Sequence, residues 1–183
     1  MPPCDQEVAM NHTRTHRRAT AAASAVLMAG GLLLATGTSA TVAASASLPS
    51  AVSPAEQQAM LAQTNSVRQQ NDQPPLSWDG GLANQAQDWA DDPKSSEGGE
   101  LHHSSLNVAE NISSVGPDGA VGQWASEKAA YDAAGPDHDT SSESYRNWGH
   151  YHNMVQPNYT KMGCGARSEA EVQGGWVTVC HYS

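Results

Sequence analysis

The chain is short of positive charge. Its 183 residues carry 9 Lys and Arg against 19 Asp and Glu, a net charge of −10. No basic stripe interrupts the acidity. Such a surface is repelled by phosphate backbones and by anionic lipid, so nucleic acid is excluded as a partner. Cysteine is also scarce, with three in all. No internal repeat is present, and no nucleophile constellation of the serine or cysteine hydrolase kind. One apolar stretch is long, but Gly30, Gly31, Thr36, Gly37, Thr38 and Ser39 break it up. That disfavours a membrane anchor.

What the first residues do contain is the grammar of a secretory signal. Arg14, Arg17 and Arg18 form a positive start. An uncharged stretch rich in Ala, Leu, Val and Gly runs from Ala19 to Ala46, and small-x-small patterns end at Ala40 and Ala46. Residues 1–46 therefore read as a signal region with cleavage after Ala46, or alternatively after Ala40. Met10 precedes the basic run and is a candidate true start, which would leave Cys4 outside the protein. Residues 47–53 read as a linker and 54–183 as one domain. The expected location is outside the cell, with no stable membrane insertion after cleavage. From Ser47 onward, six Lys and Arg face seventeen Asp and Glu, a net −11.

Cys164 and Cys180 remain, an even pair in an exported domain, which reads as a disulfide. A metal pair or a reactive thiol is the rival reading, but metal sites usually space cysteines far more closely.

Ser53-Pro54-Ala55-Glu56 is a capping box with proline at the first helical position, so a helix is expected to run to about Gln70. Met60, Thr64 and Val67 share one of its faces. Asp79 is a plausible cap for a second helix with the stripe Leu82, Ala86, Trp89 and Ala90. The segment from His103 to Ile112 is mixed in pattern and could be extended. After the Gly116–Gly119 turn, Asp118 is available to cap a third helix with Val121, Trp124, Lys128 and Tyr131 along one side. Asp132 to Asn147 reads as a loop or weak helix. Strands are expected at His150–Val155, Lys161–Arg167 and Trp176–Tyr182, with a hairpin at Ser168–Gly175 that brings Cys164 near Cys180. Helices first and strands last indicate an α+β domain with helices packed on an antiparallel sheet.

Several short patterns occur together in order. They include Asn65-Ser66-Val67-Arg68, Pro75-Leu76-Ser77-Trp78-Asp79, His103-Ser104-Ser105 and Glu110-Asn111-Ile112. Trp124 to Asp132, Gly149-His150-Tyr151, Gly163-Cys164-Gly165 and Val179-Cys180-His181-Tyr182 follow. In this order they resemble the CAP superfamily, the SCP-like or pathogenesis-related-1-like domains, from Ala55 to Tyr182. The resemblance implies an α-β-α sandwich with a central antiparallel sheet and a cleft. Two histidines and two acids line that cleft in the family, matching His103, Glu110, Glu127 and His150 here. Some members hold zinc or another divalent cation through the two histidines, and some bind sterols or fatty acids. Others act in defence or host interaction, where an extracellular protein or glycan would be the partner.

The chemistry of these residue types agrees. Neutral imidazole suits zinc, and neighbouring carboxylates orient it and raise its basicity. Two histidines leave water on a tetrahedral ion, so such a site is open. On a strand, His152 would project to the same side as His150 and become a third ligand; otherwise it is an exposed polar replacement for the family's usual threonine. Thr64, Ala109 and Asn153 also depart from the family's pattern. The reading is a secreted, non-enzymatic binding protein. The alternative is a cation-dependent hydrolase or peptidase with Glu110 or Glu127 as general base.

Overall fold

A computed structural model describes residues 51–183. The expected signal region, Met10, Cys4 and the beginning of the expected linker lie outside the described residues. The chain enters the domain at α1 (Pro54–Gln69), where the capping box forms as the spacing predicts. The Ser53 N–H donates to Glu56 Oε2 at 2.7 Å, and the Ser53 hydroxyl accepts from the Glu56 N–H at 3.4 Å. A two-residue strand, β1 (Ser77–Trp78), leads into α2 (Gly80–Asp91), and Asp79 caps that helix by accepting from the Leu82 N–H at 3.0 Å. Then follow β2 (Ala109–Ser113), α3 (Pro117–Ala125), α4 (Lys128–Ala133), α5 (Gly149–Val155), β3 (Lys161–Ser168) and β4 (Trp176–Tyr182). Short 3-10 segments occupy Pro93–Gly99 and Glu143–Asn147.

The strands form one sheet in the order β1-β3-β4-β2. β4 pairs antiparallel with both β3 and β2, and the two residues of β1 pair parallel to β3. Alternation along the strands gives the sheet two apolar faces. Ile112, Val177 and Val179 pack with Ala86 and Ala90 of α2 on one side. Cys164, Cys180, Met162 and Tyr182 pack with Met60, Val67, Val121, Trp124, Tyr151 and Met154 from α1, α3 and α5 on the other. The architecture is therefore an α-β-α sandwich.

Two glycines set how closely α2 lies on the sheet. A Cβ at Gly165 would stand 2.3 Å from the Gln87 Cα, and one at Gly163 would stand 2.2 Å from the Ala83 nitrogen. Both obstacles are helix backbone, which cannot rotate away. Gly165→Ala is expected to destabilise the domain by about 2 kcal/mol through overpacking. Urea denaturation checks this; a loss under about 0.5 kcal/mol, the level of an ordinary surface change, would contradict the contact.

Three expectations need correction. Residues 149–155 form the helix α5, not a strand. Its buried side chains, Tyr151, Met154 and Val155, recur at i, i+3 and i+4, the helical spacing. His150 and His152 are then about 200° apart around the axis. His152 packs instead beside Trp148, with ring centroids 5.4 Å apart, and takes the Gln156 amide on Nε2 at 2.8 Å. It does not join His150 as a ligand. The third helix, expected as one piece, is broken at Ser126 and Glu127 into α3 and α4. Asp118 lies inside the first turn of α3, and Gly116 holds the cap position without a side-chain bond.

Candidate functional site

The break between α3 and α4 places the Glu127 carboxylate against the start of α5. Glu127 Oε2 accepts from the backbone N–H groups of His150 and Tyr151 at 3.1 and 3.2 Å. These are first-turn donors that no carbonyl of the helix can reach. The other oxygen, Oε1, lies 2.6 Å from His150 Nδ1. One carboxylate thus ends a helix and fixes the orientation of its imidazole. Trp124 lies behind the ring, with centroids 6.1 Å apart and planes inclined by 22°.

A second pair is built from β2 and the irregular segment before it. Glu110 Oε1 lies 2.6 Å from His103 Nδ1 and accepts from the Ser104 N–H at 3.0 Å. Its other oxygen lies 2.9 Å from His181 Nε2 on β4. Glu110 and His181 are directly opposite in the β2–β4 ladder. Burial alone would push the Glu110 pKa up. The hydrogen bonds from His103, His181 and Ser104 outweigh it and hold the carboxyl well below the usual range.

Asn111 and Asn153 join the halves. The Asn111 amide donates to the His150 carbonyl at 3.0 Å, and the Asn153 amide donates to Asn111 Oδ1 at 2.9 Å and to the Glu110 carbonyl at 3.3 Å. The α5 helix is thereby held beside the edge strand β2. An open cleft of about 1220 Å³ lies between them, lined by His103, Glu110 and His150 among others. Glu127 does not line it and reaches it through His150. Leu101, Leu106 and Ile112 give the cleft an apolar wall.

The His103 side chain keeps 60% of its surface exposed, while Glu110 keeps 5%. Nδ1 of each imidazole faces a carboxylate, an arrangement in which a neutral ring that donates from Nδ1 has its Nε2 lone pair free for a ligand. This is the donor chemistry a divalent cation needs. Among the described residues no group of three or more His, Cys, Asp or Glu side chains is arranged to hold a metal. The imidazoles of His103 and His150 both line the cleft.

The sequence reading passed over His181. A signal was there, since the alternation of β4 puts it on the same face as Val177 and Val179. A histidine buried among valines requires a partner.

A three-layer sandwich whose carboxylates each orient an imidazole at an open cleft defines a class of domain independent of any name. This chain belongs to the CAP family, described as the cysteine-rich secretory protein family, whose sequence profile it matches over residues 61–182. It is 32% identical over 126 residues to pathogenesis-related leaf protein 4 of Solanum lycopersicum, covering 67% of this chain and 73% of that protein. In fold it is similar to the crystal structure of MpPR-1i, with a TM-score of 0.51 and 21% identity over 72% of this chain and 89% of that one. It is similar also to the crystal structure of NaASP2 with Zn2+, with a TM-score of 0.51 and 20% identity over 72% and 80% of the two chains. No helix among the described residues is long and apolar enough to cross a membrane.

Proposed function

We propose that residues 1–46 direct export, that 47–53 are a linker, and that the domain of residues 54–183 works outside the cell as a non-enzymatic binding protein. Its cleft holds a divalent cation, zinc being the first to try, between the Nε2 atoms of His103 and His150. The observation that carries this reading is the pairing of each Nδ1 with a carboxylate at 2.6 Å. The cation supplies a Lewis-acidic point for a partner's oxygen or nitrogen, and the apolar wall supports a partner with an apolar group, such as a lipid or sterol. A binding role is favoured over hydrolysis because Glu110 and Glu127 are both committed to imidazoles and backbone donors. Neither is left as a general base.

Calorimetric titration of the purified exported protein with zinc tests this. Saturable binding is expected in the wild type and is expected to be lost in the double variant His103→Ala, His150→Ala, which removes both protein ligands. Equal affinity in wild type and variant would remove the cation from the cleft.

A further inference from the structure

His181 is buried completely, at the bottom of the site rather than on its surface. Its Nε2 meets Glu110 Oε2 at 2.9 Å, and its Nδ1 has no hydrogen-bond partner. A buried imidazolium would leave an N–H without an acceptor at Nδ1, which is costly. The only acceptor in reach of the ring is the one at Nε2, so a proton carried there is directed at Glu110. Glu110 then receives a hydrogen bond from a donor that cannot turn to water.

From this geometry we infer that His181 is a positioning residue of the cleft: through Glu110 it holds His103 in the Nδ1–H form and so keeps the His103 Nε2 lone pair turned to the ligand.

The two halves of the site support one another by the same logic. Glu127 is steadied by two backbone N–H groups and presents its other oxygen to His150. Glu110 has only one backbone donor, from Ser104, and His181 takes the place of the second. Without it, one oxygen of a carboxylate that is 5% exposed would lack a partner. The carboxylate would then turn toward the cleft and water, and His103, whose ring is mostly exposed, would be free to change tautomer. A chain of two hydrogen bonds thus joins the sheet interior to the ligand atom. This inference takes its ligand from the cation reading above, but the tautomer of His103 can be measured without any cation.

The test is long-range proton–nitrogen NMR on the nitrogen-15-labelled, chelator-treated full chain, followed by zinc titration. In the wild type, His181 is expected as the Nε2–H tautomer and His103 as the Nδ1–H tautomer. His181→Leu is expected to give His103 as a mixture of tautomers and to weaken zinc roughly 10- to 100-fold. His181→Gln, whose amide can donate at a similar reach, is expected to restore both readouts. A proton on Nδ1 of wild-type His181 would overturn the inference, and that measurement needs no variant to fold. So would an unchanged His103 tautomer in His181→Leu, whatever the zinc result. If the tautomers behave as expected while the wild type binds no zinc, the role of His181 stands and the cation reading fails.

Discussion

Arg68→Ala is expected to cost about 4 kcal/mol or more, since it deletes a buried cation that holds several carbonyl groups at once. Arg68 is wholly buried near the end of α1. Its Nε donates to the Pro74 carbonyl at 2.7 Å, Nη1 to the carbonyls of Met154 and Gln156 at 2.9 Å each, and Nη2 to that of Tyr159 at 3.0 Å. No carboxylate joins them among the described residues. Burial lowers the guanidinium pKa, opposed in part by Tyr182, but arginine stays charged at any pH the fold meets. The carbonyl dipoles therefore carry the whole task of solvating a buried charge. In doing so they tie α1 to the segment that leaves α5, the helix that carries His150. Alanine removes every donor and leaves these carbonyls unpaired beside a cavity. Arg68→Lys is expected to recover only part of the loss, because one ammonium cannot reach a fan of carbonyls that the planar fork fits. Urea denaturation followed by circular dichroism measures both variants. A loss below about 1 kcal/mol for alanine would mean that water replaces the guanidinium, and the argument would fail.

Removing the cross-link between the last two strands should also be costly. Cys164 and Cys180 are bonded to one another and face each other in the register of β3 and β4, 16 residues apart in the chain. Closing a loop of that length is worth about 3 kcal/mol in the chain-entropy description. Both side chains are in the core beside Met162 and Tyr182. The double variant Cys164→Ala, Cys180→Ala is therefore expected to melt about 10 °C lower. Reductant is expected to lower the wild type toward the variant and to leave the variant unchanged. A wild type whose melting temperature does not respond to full reduction would show that the sheet register alone holds the hairpin. The bond also bears on where the domain matures, since such a cross-link forms and persists in oxidising surroundings.

Much of the framework was legible before any coordinates. Local signals succeeded where the chemistry is local: Ser53 with Glu56, Asp79 with Leu82, and the alternation of β4. The disulfide followed from an even cysteine pair on two strands joined by a hairpin. The order of the short patterns pointed to the family. Periodicity failed at residues 149–155, where Gly149-His150-Tyr151-His152 is too short and too polar to separate a strand from a helix. What decides the matter there is Glu127, 23 residues earlier, whose carboxylate satisfies the first turn of α5. The expected single helix through Val121 and Tyr131 failed for the same reason. A break at Glu127 is what turns that carboxylate toward His150.

The sequence by itself determined the class of the domain, its acidic surface, its capped helices, its cross-link and the identity of four polar residues worth watching. The acidic surface and the capped helices depend on composition and on neighbours a few positions apart, the cross-link follows from an even cysteine pair, and the class and the four residues come from the resemblance carried by the order of the short patterns. Tertiary structure alone decided which carboxylate holds which histidine, that His152 stands apart from His150, that His181 supports Glu110 from beneath, and that Arg68 gathers carbonyls up to 91 residues away. Each of these is a buried polar group finding its partner across the fold, and such partners are chosen by the packing of layers rather than by spacing along the chain.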